Sequence, residues 1–289
     1  MHTIGIIGGS GLYELEGLED VEEVTLETPF GPTSDALIRG KLDGVNLIFV
    51  PRHGRGHRHL PKEVPYLANI WALKKLGAKW VLSVSAVGSM KKEIAPGHFV
   101  LPDQFIDRTS GRRQTFFGDG IVAHVSLADP VCPVLSQAVA ESVEACDIQC
   151  HKGGTYVCME GPAFSTRSES NLYRQWGVDI IGMTACPEVK LAREAELRYA
   201  TLALSTDYDC WHEEEEDVSV DSVLETLQKN TANVKRVLKH LIPRLGAMGN
   251  DVTSPVCDDA LAHAIMTNRE LIPADIKEKL EPIIGHYLG

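Results

Sequence analysis

The chain has 289 residues, 44% of them hydrophobic and 24% charged, and carries a formal net charge of -12. These values describe an ordinary globular protein of one large or two smaller α/β domains. They argue against nucleic-acid binding, which needs a basic face, but leave room for a small anionic substrate held by local arginines. No apolar run approaches the ~20 residues of a membrane span, so no membrane partner is expected. Met1 to Ile7 lacks the basic region that opens a signal peptide. The seven cysteines include no Cys-x-x-Cys pair and read as mostly buried, reduced thiols of a cytoplasmic protein.

In chain order, Thr3 to Ile7 is a short β-rich run that leads straight into Gly8-Gly9-Ser10-Gly11. Glycines let the backbone approach a ligand, and free N–H groups can cradle an anion. The same loop could equally be a tight turn with no ligand. It lacks the G-x-G-x-x-G spacing and the Walker lysine of the common nucleotide motifs. Ala36 to Arg39 and Val45 to Pro51 read as a hairpin around Asp43-Gly44. The second strand ends in Arg52-His53-Gly54-Arg55-Gly56-His57-Arg58-His59. Three histidines suggest a metal, but the interleaved arginines oppose a cation and suit an oxyanion, so no metal is expected.

Tyr66 to Leu76 reads as an amphipathic helix stopped by Gly77. Trp80 to Val84 is a buried-type strand that delivers Ser85-Ala86-Val87-Gly88-Ser89 at its end. Further short strands are expected near Phe99 to Leu101 and at Gly154 to Met159, and a helix from Pro133 to about Ala145. His124 falls in a loop or short strand between them. After Glu160-Gly161-Pro162, Phe164 sits in a turn where it could stack on a planar base or pack beneath the loop. The helix Arg167 to Trp176 follows, with Ser165 or Thr166 as its cap. A short helix is expected at Val189 to Ala195 and a long one at Val218 to Leu245. Gly246 to Pro255 reads as a weak linker before terminal helices. The alternation predicts one domain over 1–289, with 247–289 as a helical tail. Its fold class is three-layer α/β, a central mixed, twisted β-sheet flanked by helices.

Two stretches stand out. Asp179-Ile180-Ile181-Gly182 leads into Met183-Thr184, and Tyr199 to Leu204 leads into Ser205-Thr206-Asp207-Tyr208-Asp209-Cys210-Trp211. Ligands of α/β proteins sit beyond strand ends, and carboxylates at i and i+2 of an extended chain share one face. Four strand ends therefore offer anion or hydroxyl donors (Ser10, Arg52 with His53, Ser85 with Ala86, Thr184) and one offers carboxylates. That pattern suits a phosphate on one side and a nitrogen heterocycle on the other.

These motifs, together with Thr28-Pro29-Phe30-Gly31, Ala68 to Leu73, Gln104 to Thr109 and Pro187-Glu188, resemble the 5′-methylthioadenosine phosphorylases of the trimeric purine nucleoside phosphorylase superfamily. The resemblance runs from about Ile4 to Leu245. It implies phosphorolysis of S-methyl-5′-thioadenosine to adenine and 5-methylthioribose 1-phosphate, a pentosyl transfer of purine and methionine salvage. It implies no cofactor beyond phosphate as co-substrate, and a homotrimer. Ser10, Arg52, His53, Ser85, Ala86 and Thr184 match phosphate-binding positions. Ser10 and Ser85 stand where family members carry threonine, which keeps the hydroxyl. Met183 matches the residue under the ribose and Phe164 the aromatic against the base. Asp207 and Asp209 match the pair at purine N7 and the 6-amino group. His124, from a neighbouring subunit, and Val220 and Val223 match the pocket for the methylthio group. Gly182 departs from the asparagine expected before Met183.

The residues support the same chemistry. The transition state at C1′ is oxocarbenium-like, and adenine leaves well only if N7 receives a proton. Asp207 is the expected acid, raised by burial and by the charge of Asp209. An ionised aspartate only accepts hydrogen bonds, so it suits a 6-amino group and opposes a 6-oxo purine. The rival readings are a phosphorylase of 6-oxo purine nucleosides or methylthioinosine, a hydrolytic nucleosidase, a nicotinamide-dependent oxidoreductase and a non-catalytic nucleotide-binding module.

Overall fold

A computed structural model of the chain describes residues 3–212, 220–248 and 252–288. Its strands are β1 (Thr3–Gly8), β2 (Glu19–Val24), the two-residue pair β3 (Glu27–Thr28) and β4 (Gly31–Pro32), β5 (Leu37–Leu42), β6 (Val45–Pro51), β7 (Ala78–Ser89), β8 (Phe99–Leu101), β9 (Gln104–Arg108), β10 (Cys150–Lys152), β11 (Thr155–Met159), β12 (Ile180–Gly182) and β13 (Arg198–Asp207). Its helices are α1 (Tyr66–Lys75), α2 (Pro133–Glu144), α3 (Arg167–Gln175), α4 (Ala185–Glu194), α5 (Val220–Ala247), α6 (Pro255–Asp258), α7 (Ala274–Lys279) and α8 (Glu281–Leu288).

Several strands are apolar at almost every position because both faces of the sheet are covered. Ile4 and Ile6, Leu47 and Phe49, and Ala200, Leu202 and Leu204 point to one side, against Leu135 and Val139 of α2 and Val234 and Leu238 of α5. Their alternates Ile7, Ile48, Val50, Tyr199 and Ala203 point to the other, against Ile70 of α1, Leu191 of α4, Ile276 of α7 and Ile283 of α8. This is the expected three-layer arrangement around a mixed sheet. The tail packs rather than trails. Leu280, Ile283 and Ile284 join the core beside α1, and the Trp71 indole donates to the Lys279 carbonyl at 3.0 Å.

The central order is β10-β8-β13-β7-β1-β6-β5-β2, with β9, β11 and β12 pairing off this path. β13, β7, β1 and β6 run parallel, so their C-terminal ends share one edge. The hairpin between β5 and β6 turns at Asp43 and Gly44, both at positive φ (49° and 76°), as a two-residue turn of that hand requires.

Two elements differ from the sequence expectation. β7 does not stop at Val84. It runs through Ser89, because β13 pairs it to Gly88 on one side and β12 pairs Ser89 and Gly88 antiparallel. Ser85 and Ala86 are thus rigid strand residues, not loop residues. α4 begins at Ala185 rather than Val189, with non-helical backbone at Cys186. Among the described residues, no helix is long and apolar enough to cross a membrane. The seven cysteines are free thiols, with Cys150 and Cys210 the less buried ones.

Candidate active site

The shared edge gathers most of the expected residues. At its centre, Ser85 of β7 and Thr184, just after β12, lie with their hydroxyl oxygens 3.2 Å apart. Both residues are 6% exposed. Thr184 is the N-cap of α4 but makes no side-chain cap bond, so its hydroxyl remains turned to Ser85. Ala86 alternates with Ser85 along β7 and is exposed.

The glycine loop follows β1. Gly8 is needed for packing, because a Cβ there would lie 2.5 Å from Leu12 Cδ1. Gly9 is exposed, and nothing stands within 4 Å of where its Cβ would be. Ser10 opens the short turn Ser10–Tyr13. Its side chain lies outside the described residues, as do those of Val220 and Val223 in the first turn of α5.

The basic loop after β6 separates into two groups, contrary to the expectation of one arginine cluster for an oxyanion. Arg55 and Arg58 turn away and pair with Asp35, at 2.9 Å each. Burial pushes the Asp35 carboxyl up, but hydrogen bonds from Arg55 and the Ala36 amide outweigh it and hold the group at about 2. Arg52 alone turns inward and is 3% exposed. Its Nε donates to Glu188 at 2.9 Å, Nη2 to Glu188 at 3.2 Å and to Ser83 at 2.6 Å, and Nη1 to the Val84 carbonyl at 2.9 Å. A guanidinium has five N–H donors, so a single Nη1 hydrogen is left for a ligand. Glu188, 2% exposed, also accepts from Ser83 at 2.5 Å and Tyr199 at 2.9 Å.

His53 bonds through Nδ1 to the His59 carbonyl at 2.9 Å and stacks on His57. A carbonyl only accepts, so Nδ1 carries the proton. Burial pulls the imidazole down to about 4, against the His59 bond and with help from the Arg52 charge. At neutral pH its Nε2 is therefore a lone pair.

Across the cleft, β13 fits one extra residue near its end. Ser205 faces Val87 and Asp207 faces Gly88, with the register shifted between them. Such a bulge re-aims a side chain. The Asp207 carboxyl accepts from Thr206 Oγ1 at 2.7 Å and from the Asp209 amide at 2.9 Å. Burial nevertheless raises it above the usual carboxylate range. Asp209, 8% exposed, is also raised by burial, opposed by a hydrogen bond from Ser170 and helped by the charge of Asp207. The expected push of Asp209 on Asp207 is thus not the main cause. Burial is, and the like charge is felt by Asp209. A side chain at Gly88 would meet Asp207 Oδ1 at 2.9 Å, so the glycine makes room for the acid. Trp211 latches this end, donating to the Ser89 carbonyl at 2.7 Å beneath the Arg174 guanidinium.

Met183 packs on the turn at Gly161, where a Cβ would touch its sulfur at 2.5 Å. Phe164, beyond that turn, is 52% exposed. His124 is exposed and tied by its amide to the Ala264 carbonyl of the tail.

Sequence reasoning missed four residues. Glu188, Ser83 and Tyr199 hold Arg52. Buried Arg112 donates to the carbonyls of Met183 and Cys186, 2.8 Å each, and to that of Glu160 at 2.9 Å, clamping two cleft loops together. In the sequence Glu188 appears only as part of the Pro187-Glu188 motif, with no role attached.

The profile described as "Phosphorylase superfamily" matches residues 3–243. A protein of Geobacter sulfurreducens named S-methyl-5′-thioadenosine phosphorylase is 56% identical over 287 residues, 99% of each chain. The chain belongs to the S-methyl-5′-thioadenosine phosphorylases of the phosphorylase superfamily. A methylthioadenosine phosphorylase from an antarctic soil metagenomic library superposes with a TM-score of 0.93 at 49% identity, covering 98% of each chain. A methylthioadenosine phosphorylase of Schistosoma mansoni, solved with adenine, superposes with a TM-score of 0.85 at 37% identity, covering 92% of this chain and 99% of that one. Both phosphorylases share the three-layer fold described above.

Proposed function

We propose that the chain splits S-methyl-5′-thioadenosine with phosphate, giving adenine and 5-methylthioribose 1-phosphate. The observation that carries the assignment of roles is the pairing of β7 with β13. It sets the Ser85 hydroxyl and the half-buried Asp207 carboxyl on adjoining strands, with Thr184 and Asp209 in the segments just beyond strand ends. Ser85 precedes the Asp207-facing Gly88 by three positions, roughly 10 Å of strand at 3.3 Å per residue. That is the span of one ribosyl group, with phosphate at one side and a base at the other.

In this reading Ser85, Thr184, the Ala86 backbone, Ser10 and the last Nη1 hydrogen of Arg52 hold phosphate. His53 offers Nε2 as an acceptor, which suits a phosphate that still carries a proton. Met183 lies under the ribose, and exposed Phe164 covers the base. Asp207, whose hold on a proton burial strengthens, is the acid that donates toward N7 as the glycosidic bond breaks. Asp209 accepts from the 6-amino group. Phosphate charge close to C1′ stabilises the cationic ribosyl group.

The assembly is a cytoplasmic homotrimer in which a neighbouring copy lends His124 to the methylthio pocket formed with Val220 and Val223. Support comes from the exposure of His124 beside exposed Val122 and Met266. Adenine release from S-methyl-5′-thioadenosine, assayed with and without phosphate and beside inosine, tests the reaction. Phosphate-dependent release with inosine inert is the expected result. Release without phosphate makes the protein a hydrolase, and turnover of inosine removes the role given to the carboxyl pair.

A further inference from the structure

One buried hydroxyl close to this cleft has no part in the roles above. Tyr156 of β11 is fully buried, and its ring packs against Phe105 at 5.7 Å. Its hydroxyl oxygen reaches Ser85 Oγ at 3.5 Å, the outer limit of such a bond. The same oxygen fills the space beside Gly182. A Cβ built on Gly182 would lie 1.9 Å from Tyr156 Oη, 2.7 Å from Cζ and 3.3 Å from Cε1. A glycine inside a strand packs nothing and weakens it. Here it admits an oxygen atom that would otherwise have no room.

A packing role alone needs only the ring. The atom that collides most with a side chain at position 182 is the oxygen, and among the described residues its hydrogen-bond partner is Ser85. Ser85 Oγ has three neighbours: Thr184 Oγ1 at 3.2 Å, Tyr156 Oη at 3.5 Å and the Ala86 carbonyl at 3.4 Å. If Ser85 gives its proton to the carbonyl or to the tyrosine, it has none for a ligand. If Tyr156 donates to Ser85 instead, one of the two serine lone pairs is taken, the serine proton no longer points at the tyrosine, and it can face the cleft. Burial raises the phenol well above its ordinary range, so Tyr156 keeps the proton it must donate. A hydroxyl that accepts a bond also donates a stronger one.

We propose that Tyr156 is a positioning residue for the anion site, turning the Ser85 hydroxyl toward phosphate, and that Gly182 is present to accommodate its oxygen. The proposal rests on the reading of Ser85 as a phosphate contact. Steady-state kinetics on wild type, Y156F, S85A and the double variant, with KM taken separately for phosphate and nucleoside, test it. Y156F is expected to raise the phosphate KM about 3- to 10-fold, what one neutral hydrogen bond contributes. The nucleoside KM and Tm should stay at wild-type values. In the S85A background Y156F should add nothing, because it acts through that serine. If S85A raises the phosphate KM and Y156F does not, the role of Tyr156 is overturned while the site reading stands. A Y156F effect that persists in full without Ser85 also overturns it. If S85A leaves the phosphate KM unchanged, the site reading falls and this proposal with it. Should Y156F fold poorly, Y156M, which also lacks the hydroxyl, is read by the same criteria.

Discussion

Two acids at this sheet edge live in opposite surroundings. Glu188 is 2% exposed, and its carboxylate is met by Arg52, Ser83 and Tyr199. Asp207 is partly buried, takes bonds only from Thr206 and the Asp209 amide, and among the described residues pairs with no lysine or arginine. A buried charge with a cation and full hydrogen bonding is fixed in place and chemically idle. A carboxyl that burial raises without a counter-charge holds a proton more readily than a free one and makes a better acid for a leaving base. The phosphate half of the cleft is therefore held rigid by a paired charge, and the base half carries a carboxyl that burial biases toward its neutral, proton-donating form.

The sharpest way to break the comparison is to unpair the fixed side. Glu188→Ala leaves a buried guanidinium alone and should cost about 3–5 kcal/mol, seen as a fall of roughly 10 °C in Tm. A change under 2 °C would mean that Arg52 is not held as described. On the other side, Asp207→Asn should lower kcat by about 10²- to 10⁴-fold, the usual worth of general acid catalysis. Its Tm should not fall, since a carboxyl without a counter-charge is replaced by a neutral amide. Parallel losses in Tm and kcat would make Asp207 a structural acid like Glu188.

His53 gives a smaller, pH-dependent effect. Burial lowers the folded imidazole from its ordinary 6.5 to about 4. Between those values the unfolded chain binds the extra proton, so stability is fully present above pH 6.5 and declines as pH falls toward 4. The loss is at most about 3 kcal/mol. His53→Gln should flatten Tm against pH across that window in phosphate-free buffer, and an unchanged slope would remove His53 as its source. The smallest effect concerns the helix behind Asp209. Thr166 caps α3 with a reciprocal bond to Glu169, and that helix packs against the turn Asp209–Trp211. Thr166→Ala should cost about 1 kcal/mol and raise the nucleoside KM but not the phosphate KM. A shift confined to the phosphate KM would show that the two halves are not supported separately.

The sheet edge was legible because strand ends declare themselves locally. Apolar runs such as Val45 to Pro51 and Tyr199 to Leu204 stop at polar, chemically able residues, and Asp43-Gly44 names its own turn. Legibility ended where a choice depends on distant residues. Arg52, Arg55 and Arg58 are equivalent by spacing, yet Glu188, 136 positions away, selects Arg52 and Asp35 captures the other two. Ser85 to Ser89 look like a strand end because they are small and polar, but ladder partners on both sides carry β7 through them. Gly182 gave no local reason for itself, since its reason is the oxygen of Tyr156.

Departure of adenine turns on a proton passing from Asp207 to N7. The direct test compares kcat for S-methyl-5′-thioadenosine with kcat for its 7-deaza analogue, which has carbon where the proton should go, in wild type and Asp207→Asn. Wild type should cleave the analogue at least about 10²-fold more slowly, and Asp207→Asn should treat the two nearly alike. Cleavage of the analogue by wild type within tenfold of the parent, or an Asp207→Asn enzyme that still distinguishes them as wild type does, would contradict it.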